Sequence, residues 1–267
     1  MLLLLLAHVA VATVLTHEEV KAKLNNVPTF SILTAERKMI SLGGKDVSPW
    51  DKCYSFWTDA VEVLELLQQT KDANPESGLH LGCMPLGDAF EHCGGFEHCA
   101  GEPTPAEAAV YCLQGPSAVV DAFKPSMLEQ LRDEQITPGL WLLPIFWSMD
   151  FETPDGMIPL FLSEADFRAG WQRTGRSLDE APASLSSMDV RSVIQRMLTG
   201  TDGVSWDRVR FVSSAEAYQL VQRLSQQQQE MEDADDEEEE DREETTGYMN
   251  GDEAQKASDF QGEDELN

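Results

Sequence analysis

The pattern of apolar and polar positions predicts short strands alternating with amphipathic helices over most of the chain. The first helix begins at Thr16, which stands at capping-box spacing from Glu19 and precedes apolar residues at helical intervals. Two short apolar runs around a polar turn, VPTFSIL (27–33) and MISL (39–42), predict a β-hairpin. Strands and helices mixed in this way along the chain indicate an α+β fold.

Three further runs before residue 137 have the length and composition of strands, namely CYSFW (53–57), LHLGCMPL (79–86) and AVYCLQG (109–115). A helix started by Thr58 and Asp59 is predicted next to the first of them, with Trp57, Val61, Leu64 and Leu67 on one face. Two separate helices are predicted over residues 116–123 and 126–134, the second with a capping box from Ser126 to Glu129.

After Pro138 the first pattern returns, which indicates a degenerate internal repeat. LLPIFWS (142–148) matches NVPTFSI (26–32), and GMIPLFLS (156–163) matches KMISLGG (38–44). The same segment is also interpreted as the equivalent of CYSFW (53–57). A helix capped by Ser163 then matches the helix after Trp57. The closing segment RVRFVSSAEAYQLVQRL is interpreted as the counterpart of LHLGCMPLGDAF.

The last helices of the second half carry their own start and stop signals. One is predicted from Ser186 to Leu198, ended by Gly200. Its buried stripe consists of Val190, Val193, Ile194 and Met197. The final helix is predicted to follow a strand at RVRFV, with a capping box from Ser213 to Glu216.

The two ends of the chain differ in composition from the rest. Residues 1–15 are mostly apolar, too short for a membrane-spanning helix, and are interpreted as a leader or signal-like segment. Residues 226–267 carry 18 acidic and 2 basic residues, which predicts a disordered acidic tail. Between them we predict one two-half domain, 16–225, with pseudo-symmetric halves at about 16–137 and 138–225. Each half is expected to be a small, mainly antiparallel sheet with packed helices.

The charge excludes some partners. The formal net charge is −29, and −13 of it lies outside the acidic tail. Nucleic-acid binding needs clustered lysine and arginine, so nucleic acid is not expected as a partner. No glycine-rich phosphate loop or nucleophile elbow occurs, and the serine-rich runs have the spacing of helix caps. We therefore predict a non-enzymatic protein with no catalytic residues and no cofactor.

The stretch FEHCGGFEHC (90–99) contains the residues best suited to metal binding or disulfide formation. It doubles a His-Cys pair, inside a glycine- and proline-rich segment that we predict to be a surface loop, an insertion over about 87–108. Zinc binds thiolates and imidazoles, but the six-residue spacing is unlike that of structural zinc sites. His92, Cys93, His98 and Cys99 are thus weak metal candidates, and a Cys93–Cys99 disulfide and a merely duplicated loop stay open as alternatives. Five cysteines are an odd number, so mostly reduced thiols are expected, with a labile pair as the alternative.

An ordered set of motifs resembles one known family. VPTF, the FW–TDA junction, LPIF–MIPLFLSEAD, SSMDVRSVIQRM and WDRVRFVSSAEAYQL (206–220) occur in this order. They resemble the twenty-two-kilodalton subunit family of the translocon at the inner chloroplast envelope, over roughly residues 16–224. The Cys/His segment after Phe90 and the acidic tail depart from that family.

The resemblance implies a two-winged α+β fold with apolar grooves and no known catalytic residues. It implies a plastid import factor or chaperone-like protein of the envelope, in the intermembrane space or an associated soluble compartment. Its partners would be preproteins, transit peptides and other translocon components. Peripheral association with a membrane is compatible with this resemblance. Six apolar residues on the repeated hairpins are the expected groove, namely Phe30, Ile32, Phe146, Trp147, Leu160 and Leu162. The alternative function is a metal- or redox-responsive binding protein that uses residues 90–99.

Overall fold

The computed structural model describes residues 14–41, 53–103, 110–182, 185–200 and 204–230. Their Cα atoms group into two compact units, Met1–Val221 and Gln222–Asn267, and the description below concerns the first. Of the second, only the end of the last helix is described. None of the helices in these ranges combines the length and apolarity that a membrane span requires.

The described part of the first half contains four strands and five helices. In chain order they are α1 (His17–Leu24), β1 (Pro28–Leu33), β2 (Tyr54–Trp57), α2 (Ala60–Ala73), β3 (His80–Pro85), α3 (Leu86–His92), α4 (Gly95–Cys99), β4 (Tyr111–Gln114) and α5 (Ser117–Asp133). The second half contains β5 (Pro144–Trp147), β6 (Ile158–Phe161), α6 (Glu164–Arg173), β7 (Ser186–Asp189), α7 (Val190–Thr199), β8 (Val209–Val212) and a last helix, α8, over residues 215–230.

The two four-stranded sheets have the same topology. Their strand orders are β3-β1-β2-β4 and β7-β5-β6-β8. In each sheet the second strand in this order pairs antiparallel with both neighbours, and the last two strands pair in parallel. The predicted α+β fold of two pseudo-symmetric, mainly antiparallel halves is therefore confirmed. An internal repeat would produce this topology, and the sequence repeat itself stays a prediction.

The topology corrects one of the sequence matches. Since β7 takes the place of β3, and α7 follows β7 as α3 follows β3, the segment from Ser186 onward is the counterpart of LHLGCMPLGDAF. The strand in RVRFV is β8, which takes the place of β4. The sequence match was wrong because both pairs are a short strand followed by a helix, and residue patterns alone do not show which neighbour a strand pairs with.

The capping signals place most helix ends correctly. Thr16 and Glu19 form the predicted capping box, in which each side chain bonds to the backbone of the other residue. Asp59 caps α2, and Ser163 accepts from the Asp166 amide at the start of α6. Gly200 ends α7 with φ 64°, a left-handed conformation that glycine adopts without a steric penalty.

Five local predictions differ from the structure. The second arm of the hairpin forms only isolated bridges, Leu33 with Met39 and Ser41 with Tyr54, and residue 42 lies outside the described ranges. The two helices over 116–134 are one, α5, with Pro125 inside it, so the predicted capping box at Ser126 does not exist. On α2, Val61 is exposed, and Ala60 and Val63 are buried instead.

The last two differences concern helix starts in the second half. Residues 186–189 form β7, and α7 begins at Val190 with Asp189 as its N-cap. At α8 the Ser214 hydroxyl accepts from the Ala217 amide, so the cap lies one residue after the predicted Ser213. The predicted stripe on α7 is buried throughout, because its four apolar residues face the main core.

The main core contains residues from both sheets. One cluster of buried side chains joins both sheets with the apolar faces of α1, α3, α4 and α7. Smaller clusters lie under α5 and α6. Leu15, which the sequence assigned to the leader, is buried, and its amide donates to the Met197 carbonyl. Residues 1–13 of the predicted leader and 231–267 of the predicted tail lie outside the described residues, and 226–230 belong to α8.

Candidate functional site

The six residues expected to line an apolar groove lie in the core. Their exposed fractions are at most 7% for Phe30, Ile32, Phe146, Trp147, Leu160 and Leu162. Phe146 packs edge to face on Phe123 of α5, with ring centroids 5.2 Å apart. In this structure these six side chains are packing residues, and they do not line the expected groove.

For the residues of the second half, the reason is that both faces of β5 and β6 are covered. Successive side chains of a strand point to opposite faces. All four residues of β5 and all four of β6 are nevertheless buried. A strand with one solvated face would leave every second residue exposed. These two strands therefore have no solvated face that could line a groove.

The doubled FEHC stretch forms a pair of short helices rather than a surface loop. We call residues 86–99 the α3–α4 hairpin. Gly94 joins the two helices with φ 67°. Gly95 lies against Phe90, since a Cβ placed on it would be 2.4 Å from the ring. The two phenylalanines of the repeat, Phe90 and Phe96, pack edge to face with centroids 5.1 Å apart. The glycines therefore serve packing within the hairpin.

The hairpin separates the four weak metal candidates. His92 is exposed and its ring lies 6.3 Å from that of Phe56, whereas Cys93, His98 and Cys99 are buried. Within the described ranges no three His, Cys, Asp or Glu side chains lie close enough together to hold a metal ion. Cys93 and Cys99 are free thiols, and burial raises the pKa of both. A buried protonated thiol is inert, so the metal- or redox-responsive alternative gains no support.

The residue that organises this part of the core is Arg191, which is fully buried at the start of α7. Its guanidinium makes two bonds to the Asp189 carboxylate, Nε to Oδ1 at 2.7 Å and Nη2 to Oδ2 at 3.0 Å. It also donates to the carbonyls of Thr137, Pro138 and Trp141. We call these contacts the Arg191 network. They join α7 to the segment between α5 and β5, where the two halves meet.

His98 lies beside this network. Its ring centroid is 5.9 Å from that of Trp141, and a Cβ on Gly139 would be 2.6 Å from its Cε1 atom. Burial, helped by the positive charge of Arg191, lowers the pKa of His98 to about 4, and the Asp189 carboxylate opposes this shift. His98 is therefore neutral at physiological pH, and it has the environment of a packed core residue.

The structure also contains a disulfide that the sequence did not predict, between Cys53 and Cys112. Cys53 precedes β2 and Cys112 lies in β4, and their sulfur atoms are bonded, with the Cα atoms 5.9 Å apart. The two strands are parallel neighbours, with Ser55 opposite Cys112. Spacing along the chain could not show this pairing, because it depends on which strands are adjacent.

A cleft of about 550 Å³ lies beside β8, a volume typical of ligand pockets. We call it the β8 cleft. Its walls include the β8 strand itself, with Lys23 and Asn26 around the end of α1 and Tyr218 of α8. The Lys23 ammonium donates to the carbonyls of Asp207 at 2.8 Å and Val209 at 3.0 Å. The Tyr218 hydroxyl donates to the Asn26 carbonyl at 3.1 Å.

Two cations lie in this cleft. Arg210 is more than half exposed and has an ion pair with Asp155 at 3.9 Å, the limit for such a contact. Lys23 is half-buried, and burial lowers its pKa, with a smaller lowering from the nearby charge of Arg210. Asp207 and Glu19 oppose that shift. In a chain of formal charge −29, a cleft with a lysine and an arginine stands out as a place for an anionic group.

No protein-family model matches this chain, and no curated protein sequence does either. Solved structures do match. Tic22 of Anabaena, described as a protein of protein transport, has a TM-score of 0.50 at 15% identity, over 78% of this chain and 97% of that chain. Tic22 from Plasmodium falciparum has a TM-score of 0.50 at 13% identity, over 77% of this chain and 97% of that chain. At such identities the likeness shows the fold, and the fold expected from the sequence resemblance is confirmed.

Proposed function

We propose that this protein, which has the Tic22 fold, is a non-enzymatic factor of plastid protein import that binds preproteins transiently at the envelope. The observation that carries the proposal is the fold likeness, which extends over 97% of both Tic22 chains. One of these two proteins is described as acting in protein transport. A fold alone does not fix a function, so the proposal needs a direct test.

The charge of the chain supports this reading. Plastid transit peptides are basic and poor in acidic residues. A chain of formal charge −29 attracts such segments through its overall field, and the attraction weakens as salt screens it. Chaperone-like holding of extended clients and docking to other translocon components belong to the same proposal. Its location would be the intermembrane space or an associated soluble compartment.

The test is the affinity of the full-length protein for a fluorescein-labelled transit peptide, measured by anisotropy between ~20 mM and ~300 mM NaCl. We expect binding that weakens steadily with salt. A matched peptide with its lysines and arginines replaced by glutamine is the control, and it should bind much less. Absence of binding at the lowest salt would refute direct preprotein binding.

A second variant separates the acidic tail from the folded part. The acidic residues of 226–267 are changed to glutamine and asparagine, which keeps the chain length. Binding that persists places the peptide site outside residues 226–267, and binding that disappears assigns it to their acidic side chains. A C-terminal fluorescent tag, followed by microscopy, tests the location, and a signal outside the plastid would refute the import role.

A further inference from the structure

The two halves differ at one equivalent place, and the β8 cleft lies there. In the first half, Gln114 at the end of β4 forms a parallel bridge with Leu142, two residues before β5 begins. The equivalent residues of the second half are Val212, at the end of β8, and Asn26, two residues before β1. Among the described residues no bridge joins Val212 to Asn26. The second half therefore lacks the strand contact that closes the first half, and side-chain bonds from Lys23 and Tyr218 span the place instead.

The open side is the edge of a sheet. β8 ends its sheet, with β6 on one side. Since Lys23 lines the cleft and bonds to the Val209 carbonyl, that carbonyl points into the cleft. Residues of a strand alternate in the direction of their backbone groups, so Phe211 presents its backbone to the same side. The Val209 carbonyl already accepts from Lys23, so an added strand from another chain would bond to the backbone of Phe211.

The described residues that line the cleft include two cations and no carboxylate, while Asp207 and Glu19 act on Lys23 from outside it. A lysine ammonium has three donors, and two of those of Lys23 go to the Asp207 and Val209 carbonyls. Arg210 points to solvent and meets Asp155 only at the distance limit. Exposed ion pairs of that length are weak, so a better-placed carboxylate would compete with Asp155. Such a carboxylate between Lys23 and Arg210 would relieve the repulsion between the two cations.

We propose that the β8 cleft binds an extended segment of a partner protein as an added strand on β8, with an acidic side chain of that segment between Lys23 and Arg210. The backbone of the partner bonds to the edge, and the carboxylate sets the register. A lipid headgroup would use the two cations but would leave the strand edge without backbone partners, which is why a peptide is the favoured ligand. The proposal does not depend on the import role, since basic transit segments would be repelled here.

The test uses the full-length protein and three blocked, fluorescein-labelled octapeptides of alternating threonine and valine. The first has one central aspartate, the second has asparagine in its place, and the third keeps the aspartate but carries N-methyl groups on alternate backbone nitrogens. We expect the first peptide to bind about tenfold more tightly than either of the others. Arg210→Glu should weaken the first peptide by about tenfold or more. Lys71→Glu, with the same charge change on α2 outside the cleft, should leave its affinity unchanged.

Hydrogen exchange with and without the first peptide adds a structural readout, because an added strand should slow exchange of β8 amides. The proposal is overturned if the aspartate and asparagine peptides bind equally, or if N-methylation has no effect. It is also overturned if Arg210→Glu and Lys71→Glu behave alike, or if no peptide binds. Binding of phosphatidylserine vesicles that requires Arg210, without binding of the first peptide, would assign the cleft to a lipid headgroup instead.

Discussion

The guanidinium of Arg191 lies over the indole ring of Trp141, with its Cζ atom 4.1 Å from the ring centroid, and donates to the carbonyl of the same residue at 2.8 Å. Trp141 in turn packs edge to face on Phe90 and donates from Nε1 to the Cys93 carbonyl. One arginine thus connects α7, the segment between the two halves, and the α3–α4 hairpin. This contact explains why the hairpin is buried: it packs against the place where the halves join.

The first prediction concerns Arg191→Met. This substitution leaves the Asp189 carboxylate buried without its cation and frees three backbone carbonyls of their donor. We expect the free energy of unfolding to fall by about 3–5 kcal/mol in urea denaturation. The control is Arg168→Ala, which removes an exposed pair with Glu164 and should change stability by about 0.5 kcal/mol or less. A loss below about 1 kcal/mol for Arg191→Met would contradict the structural role of the network.

The second prediction concerns pH and His98. Its pKa of about 4 in the folded state lies below the usual value near 6.5. As pH falls from about 6.5 to about 4, His98 becomes protonated in the unfolded chain but stays neutral in the folded chain. The free energy of unfolding therefore falls. In His98→Gln this component is absent, and the drop in unfolding free energy between pH 7 and pH 5 should shrink by about 2 kcal/mol. Equal pH dependence in both proteins would show that His98 titrates normally.

The third prediction concerns Gly95→Ala. Alanine is the better helix former, so in an open helix the substitution would stabilise by roughly 0.5–1 kcal/mol. Here its Cβ would lie 2.4 Å from the Phe90 ring, and we expect a loss of about 1–3 kcal/mol instead. Measuring Gly95→Ala again with Phe90→Leu present tests the cause, because the smaller side chain should reduce the loss. A stabilising Gly95→Ala would be inconsistent with the close contact.

The fourth prediction concerns the thiols. Cys83 is exposed, Cys93 and Cys99 are buried, and Cys53 is bonded to Cys112. Maleimide labelling followed by mass spectrometry should give one fast-reacting thiol in the native protein. Three should react in denaturant without reductant, and five after reduction. Cys93 and Cys99 should react roughly a hundredfold more slowly than Cys83 in the native state, since they need local opening.

The matched variant for this experiment is Cys83→Ser, which should abolish the fast phase and leave the rest unchanged. Rapid labelling of Cys93 or Cys99 by maleimide in the native protein would support a thiol function for residues 90–99. Five reactive thiols in denaturant without reductant would show that Cys53 and Cys112 are not bonded to each other.

Local signals in the sequence were sufficient for much of the fold. The capping box of Thr16, the cap at Ser163 and the glycine stop at Gly200 depend on residues within one helical turn, so the sequence shows them directly. The α7 stripe was also predictable, since it follows the period of a helix. The cleft at β8 left no such signal, because Lys23, Arg210 and Tyr218 come from three separate elements.

By itself, therefore, the sequence determined most of the strands and helices, where most helices begin and end, and that the chain forms two similar α+β halves. Only the tertiary structure decided how the stretch from residue 90 to 99 is folded and buried. FEHCGGFEHC has the residues of a metal site and the glycines of a loop, yet it folds as a hairpin in the core, with His92 outside and Cys93, His98 and Cys99 inside. The physical reason is that burial depends on contacts with Trp141 and Arg191, some 40 to 100 positions away along the chain, which no local pattern records.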